Sequence, residues 1–179
     1  MSVETGATYS DRRTGKLYSL SPKGTWDDQA RTPVARTAWA SGAIALPPGA
    51  GSSGNSDVKP YALMSFGAVG YPRVLLAVAQ VHVEGKQAWN ATYCHVAVGL
   101  DGEAPTVRAN AIREVTAGYI AGNGTDGGSA VSYAMDIPAG KSVQVAANVS
   151  LTAVTAAPGP NVNTSRDRTF LTATLYPAR

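Results

Sequence analysis

The strongest constraint on this chain is a period of two. In Leu75, Ala77, Ala79, Val81 and Val83 every second residue is apolar, while Gln80, His82 and Glu84 take the other side. Thr92, Cys94, Val96, Val98 and Leu100 repeat the pattern, as do Val131, Tyr133, Met135 and Ile137. Val143, Val145, Ala147, Val149, Leu151 and Ala153 make the longest set, with Ser142, Gln144, Asn148, Ser150 and Thr152 between them. Successive side chains of a strand point to opposite faces, so alternation with one wet face predicts strands of antiparallel sheets.

Turn chemistry divides these runs. Pro47-Pro48-Gly49, Gly85-Lys86, Asp101-Gly102 and Pro138-Ala139-Gly140 are turn signals, and Pro158-Gly159-Pro160 lies in a longer loop. Weaker strand candidates occupy residues 37–46, 58–66, 107–115 and 169–176, with Pro60 suited to an edge strand. Residues 122–128 read as a mobile surface loop because of their glycines. With 19 Gly and 11 Pro in 179 residues and 15% charged residues, the chain lacks the side chains that cover the wet face of long helices. The expected fold is all-β: an antiparallel β-sandwich of about seven to nine strands, jelly-roll-like in its arrangement.

Residues 1–33 stand apart from the sandwich expected at 34–179. They mix both charge signs, hold few branched aliphatic residues and show no sustained period. They read as an extended N-terminal arm that docks on its own domain or on a neighbouring subunit, with Tyr9, Arg12, Arg13, Tyr18 and Trp26 as the docking residues.

Several functions are poorly supplied. No run of eighteen apolar residues exists, so no membrane contact is expected. No basic block exceeds Arg12-Arg13, so neither is nucleic acid. The start of the chain shows no basic region followed by an apolar run, so no secretory signal peptide is visible. Cys94 is the only cysteine, which excludes an intrachain disulfide, and its apolar phase makes it a core residue. His82 and His95 fall on different faces by phase, so a shared metal is not expected. Gly122, Gly124 and Gly127 fit G-x-G-x-x-G, but a strand follows where a dinucleotide site needs a helix. Asp126 in that loop is a calcium candidate without a second coil to complete the oxygen shell. No G-x-S-x-G elbow marks a nucleophile, so no catalytic residue, cofactor or metal is assigned. Asparagines 90, 123, 148 and 163 begin N-x-[ST] triplets and are read as polar strand and loop composition.

Aromatic residues give one binding hypothesis. Trp39, Trp89, Tyr61, Tyr71 and Tyr93 fall at strand ends or loops, where rings can stack on a host cell-surface glycan.

Two segments carry a family resemblance. VSYAMDIPAGKSVQVAANVSLTAV, residues 131–154, and RTFLTATLYPAR, residues 168–179, resemble the β-sandwich modules of tailed-bacteriophage virion proteins, both minor tail proteins and capsid decoration proteins. The first hairpin is also similar to that of trimeric tumour-necrosis-factor-like jelly rolls. The resemblance implies a non-enzymatic, surface-exposed structural protein. It would be made in the host cytoplasm, located in the virion, partnered by other virion proteins and assembled as a homo-oligomer, with a trimer favoured. It supplies no catalytic residue. A carbohydrate-binding module and a hydrolase on a jelly-roll scaffold are the readings from other classes.

Overall fold

A computed structural model describes residues 8–11, 13, 16–20, 24–28, 33–49, 56–105, 114–117, 124–154 and 159–178. The described residues contain strands and no helix. Nine strands build the body: β4 (Val34–Trp39), β5 (Lys59–Phe66), β6 (Arg73–Trp89), β7 (Ala91–Leu100), β8 (Glu114–Ala117), β9 (Gly124–Ile137), β10 (Val143–Thr152), β11 (Asn161–Val162) and β12 (Phe170–Pro177).

They form two antiparallel sheets. One has the order β5-β10-β7-β8. In the other, β6 is central, with β9 along one side, β12 and the short β11 along the opposite side, and β4 outside β12. From β4 to β12 every connection crosses between sheets except β7 to β8 and β11 to β12, and β12 lies beside β4. This is the arrangement of a jelly-roll sandwich. Pro60 sits near the start of β5, an edge strand, where proline is tolerated.

Alternation places the core between the sheets. Leu75, Ala77, Ala79, Val81 and Val83 of β6 and Leu171, Ala173 and Leu175 of β12 are buried against Cys94, Val96 and Val98 of β7 and Val143, Val145, Ala147 and Val149 of β10. Two turns have the backbone their residues favour. Asp101 and Gly102 both have positive φ, 52° and 85°, and the Glu103 amide closes the turn on Leu100 O at 3.0 Å. Gly140, φ 78°, follows Pro138 and Ala139 in the link from β9 to β10.

The chain departs from the sequence reading in four places. First, the strand expected at 37–46 ends at Trp39, because its partner β12 begins at Phe170, opposite Trp39. Second, Gly85 does not end β6; the strand runs on to Trp89 through a register shift after Glu84, and Gly85 packs closely on Pro160. Third, residues 124–128 are not a loop but the start of β9, paired with β6. Here glycine serves close approach: a Cβ on Gly128 would lie 2.9 Å from Val81 O, and one on Gly127 would touch the Trp89 ring. Asp126 therefore lies in a ladder opposite Glu84, not in an ion-binding loop. Most of the strand candidate at 107–115 lies outside the described residues.

The fourth departure is the arm. Instead of one extended segment, three short strands pair with each other: β1 (Thr8–Asp11), β2 (Lys16–Leu20) and β3 (Trp26–Asp28), in the order β1-β2-β3. Turns at 13 and 24 let segments too short to stand alone satisfy one another's backbone groups.

Candidate functional site

The N-terminal sheet gathers aromatic residues on one face. Tyr9 pairs with Tyr18 and Leu20 with Trp26, so strand periodicity points Tyr9, Tyr18, Leu20 and Trp26 the same way. The Tyr9 and Tyr18 rings stack with centroids 6.1 Å apart, and Trp26 meets Tyr9 at 6.1 Å and 64°. Both separations are in the range of favourable aromatic pairs. Tyr9 is 54% and Trp26 46% exposed, and with Asp11 these rings line an open cleft of about 420 Å³. Arg13 is exposed, and its amide donates to Asp11 Oδ1 at 2.9 Å. Arg12 lies outside the described residues. The structure thus brings together Tyr9, Tyr18 and Trp26 of the five residues expected to dock the arm.

The five residues expected to meet a glycan fare differently. Trp89 is 3% exposed, and its indole N–H donates to Thr92 Oγ1 at 2.8 Å. Tyr61 is 4% exposed; its hydroxyl donates to Gln80 O at 3.0 Å and lies 3.3 Å from Cys94 Sγ. Burial raises the Tyr61 phenol above its ordinary pKa and pushes the Cys94 thiol up to about 11. Trp89 and Tyr61 are therefore core residues and no stacking surface, because β5 bulges at Tyr61 and the β6 extension tucks Trp89 under Gly127.

The other three stay at the surface but on different elements. Trp39 ends the edge strand β4, 40% exposed, with the Arg166 guanidinium 4.7 Å from its ring centroid. Tyr71 is half-buried in the turn before β6. Tyr93 is half-buried on β7, 6.4 Å from the His95 ring, in a shallow cleft of about 340 Å³ with Ser56, Ser150 and Thr152. There His95 Nε2 and Ser150 Oγ share a 2.8 Å hydrogen bond. His82 is on the other sheet, 3.5 Å from the Arg168 guanidinium. Among the described residues no three His, Cys, Asp or Glu side chains gather as ion ligands.

A further surface has no counterpart among the residues singled out from the sequence, Trp39 excepted. The outward face of β4, β12, β6 and β9 follows from the registers. Trp39, Phe170, Gln80 and Ala130 form one row; Thr37, Thr172, Val78 and Ser132 the next; Ala35, Thr174, Leu76 and Ala134 the third. Tyr176, Val74 and Asp136 close it. Leu76, Val78 and Tyr176 are 39%, 37% and 42% exposed. The signal for this face is the run from Val74 to Ala79, where both phases are apolar.

No protein-family model matches this chain, and no curated protein matches it. Among solved structures, a chain from the structure of infectious bursal disease virus Gt strain is 11% identical, with a TM-score of 0.46 over 99% of this chain and 47% of its own length. A chain from the Gx strain structure is also 11% identical, with a TM-score of 0.41 over 89% of this chain and 41% of its own. The present chain spans less than half the length of either.

Proposed function

We propose that this chain is a non-enzymatic structural protein of a bacteriophage virion, surface-exposed and carried as a minor tail protein. The observation that carries the reading is the N-terminal sheet. It pairs with neither sheet of the sandwich and leaves Tyr9 and Trp26 about half exposed. Exposed, mutually stacked aromatic rings are typical anchors of protein interfaces. A buried free thiol suits a protein made in a reducing host cytoplasm that then persists outside it without disulfides. In this reading the N-terminal sheet docks on other virion proteins, the sandwich is the displayed body, and the chain works as a homo-oligomer.

Head decoration is the second reading. One observation favours it: Trp89 and Tyr61, two of the rings that would have met a host glycan, lie in the core. Stabilising a shell needs no such contact. The carbohydrate-binding reading keeps Trp39, Tyr71 and Tyr93 as its contacts, and Trp39→Ala tests it on a glycan array.

Co-sedimentation with purified particles that lack the protein tests the docking. The full chain is expected to pellet with them, and Tyr9→Ala/Trp26→Ala or removal of residues 1–33 to abolish pelleting. Full binding by the shortened chain, or no binding by the intact one, would overturn the reading.

A further inference from the structure

The geometry points to a second interface: the outward face of β4, β12, β6 and β9 packs on the same face of a second copy of this chain. This rests on the homo-oligomeric part of the reading above, with a two-fold pair in place of the trimer that the resemblance favours, and not on which particle holds the protein.

The sequence supplies the first argument. Val74, Leu75, Leu76, Ala77, Val78 and Ala79 are apolar at both phases. Such runs belong to strands covered on both faces. Among the described residues the Leu75, Ala77 and Ala79 side is fully covered, while Leu76 and Val78 stay 39% and 37% exposed. The uncovered apolar phase is sized for a sheet, not for a small ligand.

The layout of the face is the second argument. Its centre, formed by Leu76, Val78, Thr172 and Thr174, holds no charged side chain. One end is polar: Asn163 Nδ2 donates to Glu84 Oε2 at 2.8 Å, and Gln80 Nε2 donates to Arg168 O at 3.1 Å. Asp136 marks the other end, and Arg166 lies over Trp39 at the edge. An uncharged centre of aliphatic and threonine side chains within a polar rim fits the depletion of charge at the core of protein interfaces. The chain carries a formal charge of +3, and a face whose centre holds no charged side chain adds little repulsion between two copies.

Size is the third argument. Four strands and about seven residues of each span roughly 19 by 24 Å in projection. Standing side chains add accessible area to that, bringing the face toward the roughly 800 Å² per partner of a standard interface. Two sheets stack in this manner about 10 Å apart inside any β-sandwich. A face meeting its own copy is isologous, which gives a two-fold pair.

Sedimentation equilibrium of the full chain from about 1 to 100 µM tests the inference. A monomer–dimer equilibrium is expected. Leu76→Lys/Val78→Lys should weaken it at least a hundredfold while the far-ultraviolet circular dichroism stays unchanged. Should that variant misfold, Ala134→Lys on the exposed side of β9 reads the same face. Leu63→Lys, on the exposed side of β5 in the other sheet, should leave the dimer intact, and so should removal of residues 1–33. A monomer at every concentration, a trimer, or a dimer indifferent to both face variants would overturn the proposal. Loss of the dimer on removing residues 1–33 would also overturn it and would move self-association to the N-terminal sheet. Failure to pellet with particles by a chain that still dimerises would instead count against the virion reading alone.

Discussion

The two sheets treat their outer faces in opposite ways. On β7 and β10, His95, Ala97, Gly99, Ala146 and Asn148 point away from the core by phase, yet all are buried. On β6 and β12 the corresponding positions Leu76, Val78 and Tyr176 are exposed. On β7 and β10 the first sheet thus buries polar side chains on its outer face, with Leu63 exposed only on its edge strand β5, while the second sheet exposes apolar side chains on its central strand. Both departures are more informative than an ordinary exposed leucine. Part of the cover on the first sheet is visible: the segment after the Asp101–Gly102 turn folds back, and a Cβ on Gly99 would collide with the Glu103 carbonyl. The second sheet has no comparable cover among the described residues. Burial by the chain itself explains the first sheet, and the proposed self-association would cover the second.

Adjacent leucines give the largest contrast. Leu75 is fully buried and Leu76 is not. Leu75→Ala should cost about 2–5 kcal/mol in denaturant unfolding. Leu76→Ala in dilute monomer should stay within about 0.5 kcal/mol. Equal effects would erase the difference between the two faces. Gly99→Ala tests the cover of β7 and should destabilise by about 1–3 kcal/mol, since the backbone of Glu103 must move. A neutral result would mean that the segment lies away from the sheet.

Asn148 should respond in the opposite direction. It is buried on the outer face of β10, and its Nδ2 has no hydrogen-bond partner. An unsatisfied buried donor costs free energy, so Asn148→Leu should raise stability by about 1 kcal/mol. A large loss would show that the amide is satisfied in the protein. The smallest effect concerns pH. The Lys141 ammonium, bonded to Asp101, holds that carboxyl below its ordinary pKa, helped by the Ser142 amide. A depressed carboxylate stabilises the fold above its unfolded pKa, and the contribution disappears as pH falls through the lowered one. Asp101→Asn should therefore lower stability slightly at neutral pH, leave it unchanged below the lowered pKa, and so flatten the acid limb of a stability–pH profile. An unaltered acid limb would contradict the pairing.

Much of this was legible in the sequence where one phase was apolar and the other polar. Val143 to Leu151 and Thr92 to Leu100 gave their strands, their inward residues and the buried thiol of Cys94 in this way. On β6 the same period placed Leu75, Ala77, Ala79, Val81 and Val83 inward, but it did not reveal that Leu76 and Val78, apolar on the opposite phase, stay exposed. Glycine content misled at residues 124–128 because close packing and mobility use the same residue. Tyr61 and Trp89 were misplaced because a bulge and a strand extension decide their direction, and neither leaves a local signal. Tyr9, Tyr18 and Trp26 stood out as anchors, but their common face depends on a register that spacing does not reveal.

Antibody labelling of purified phage particles under the electron microscope tests the virion assignment most directly. Label at the tail is the predicted result, and label over the shell would turn the assignment to decoration. Particles without label, from lysates that contain the protein, would contradict it.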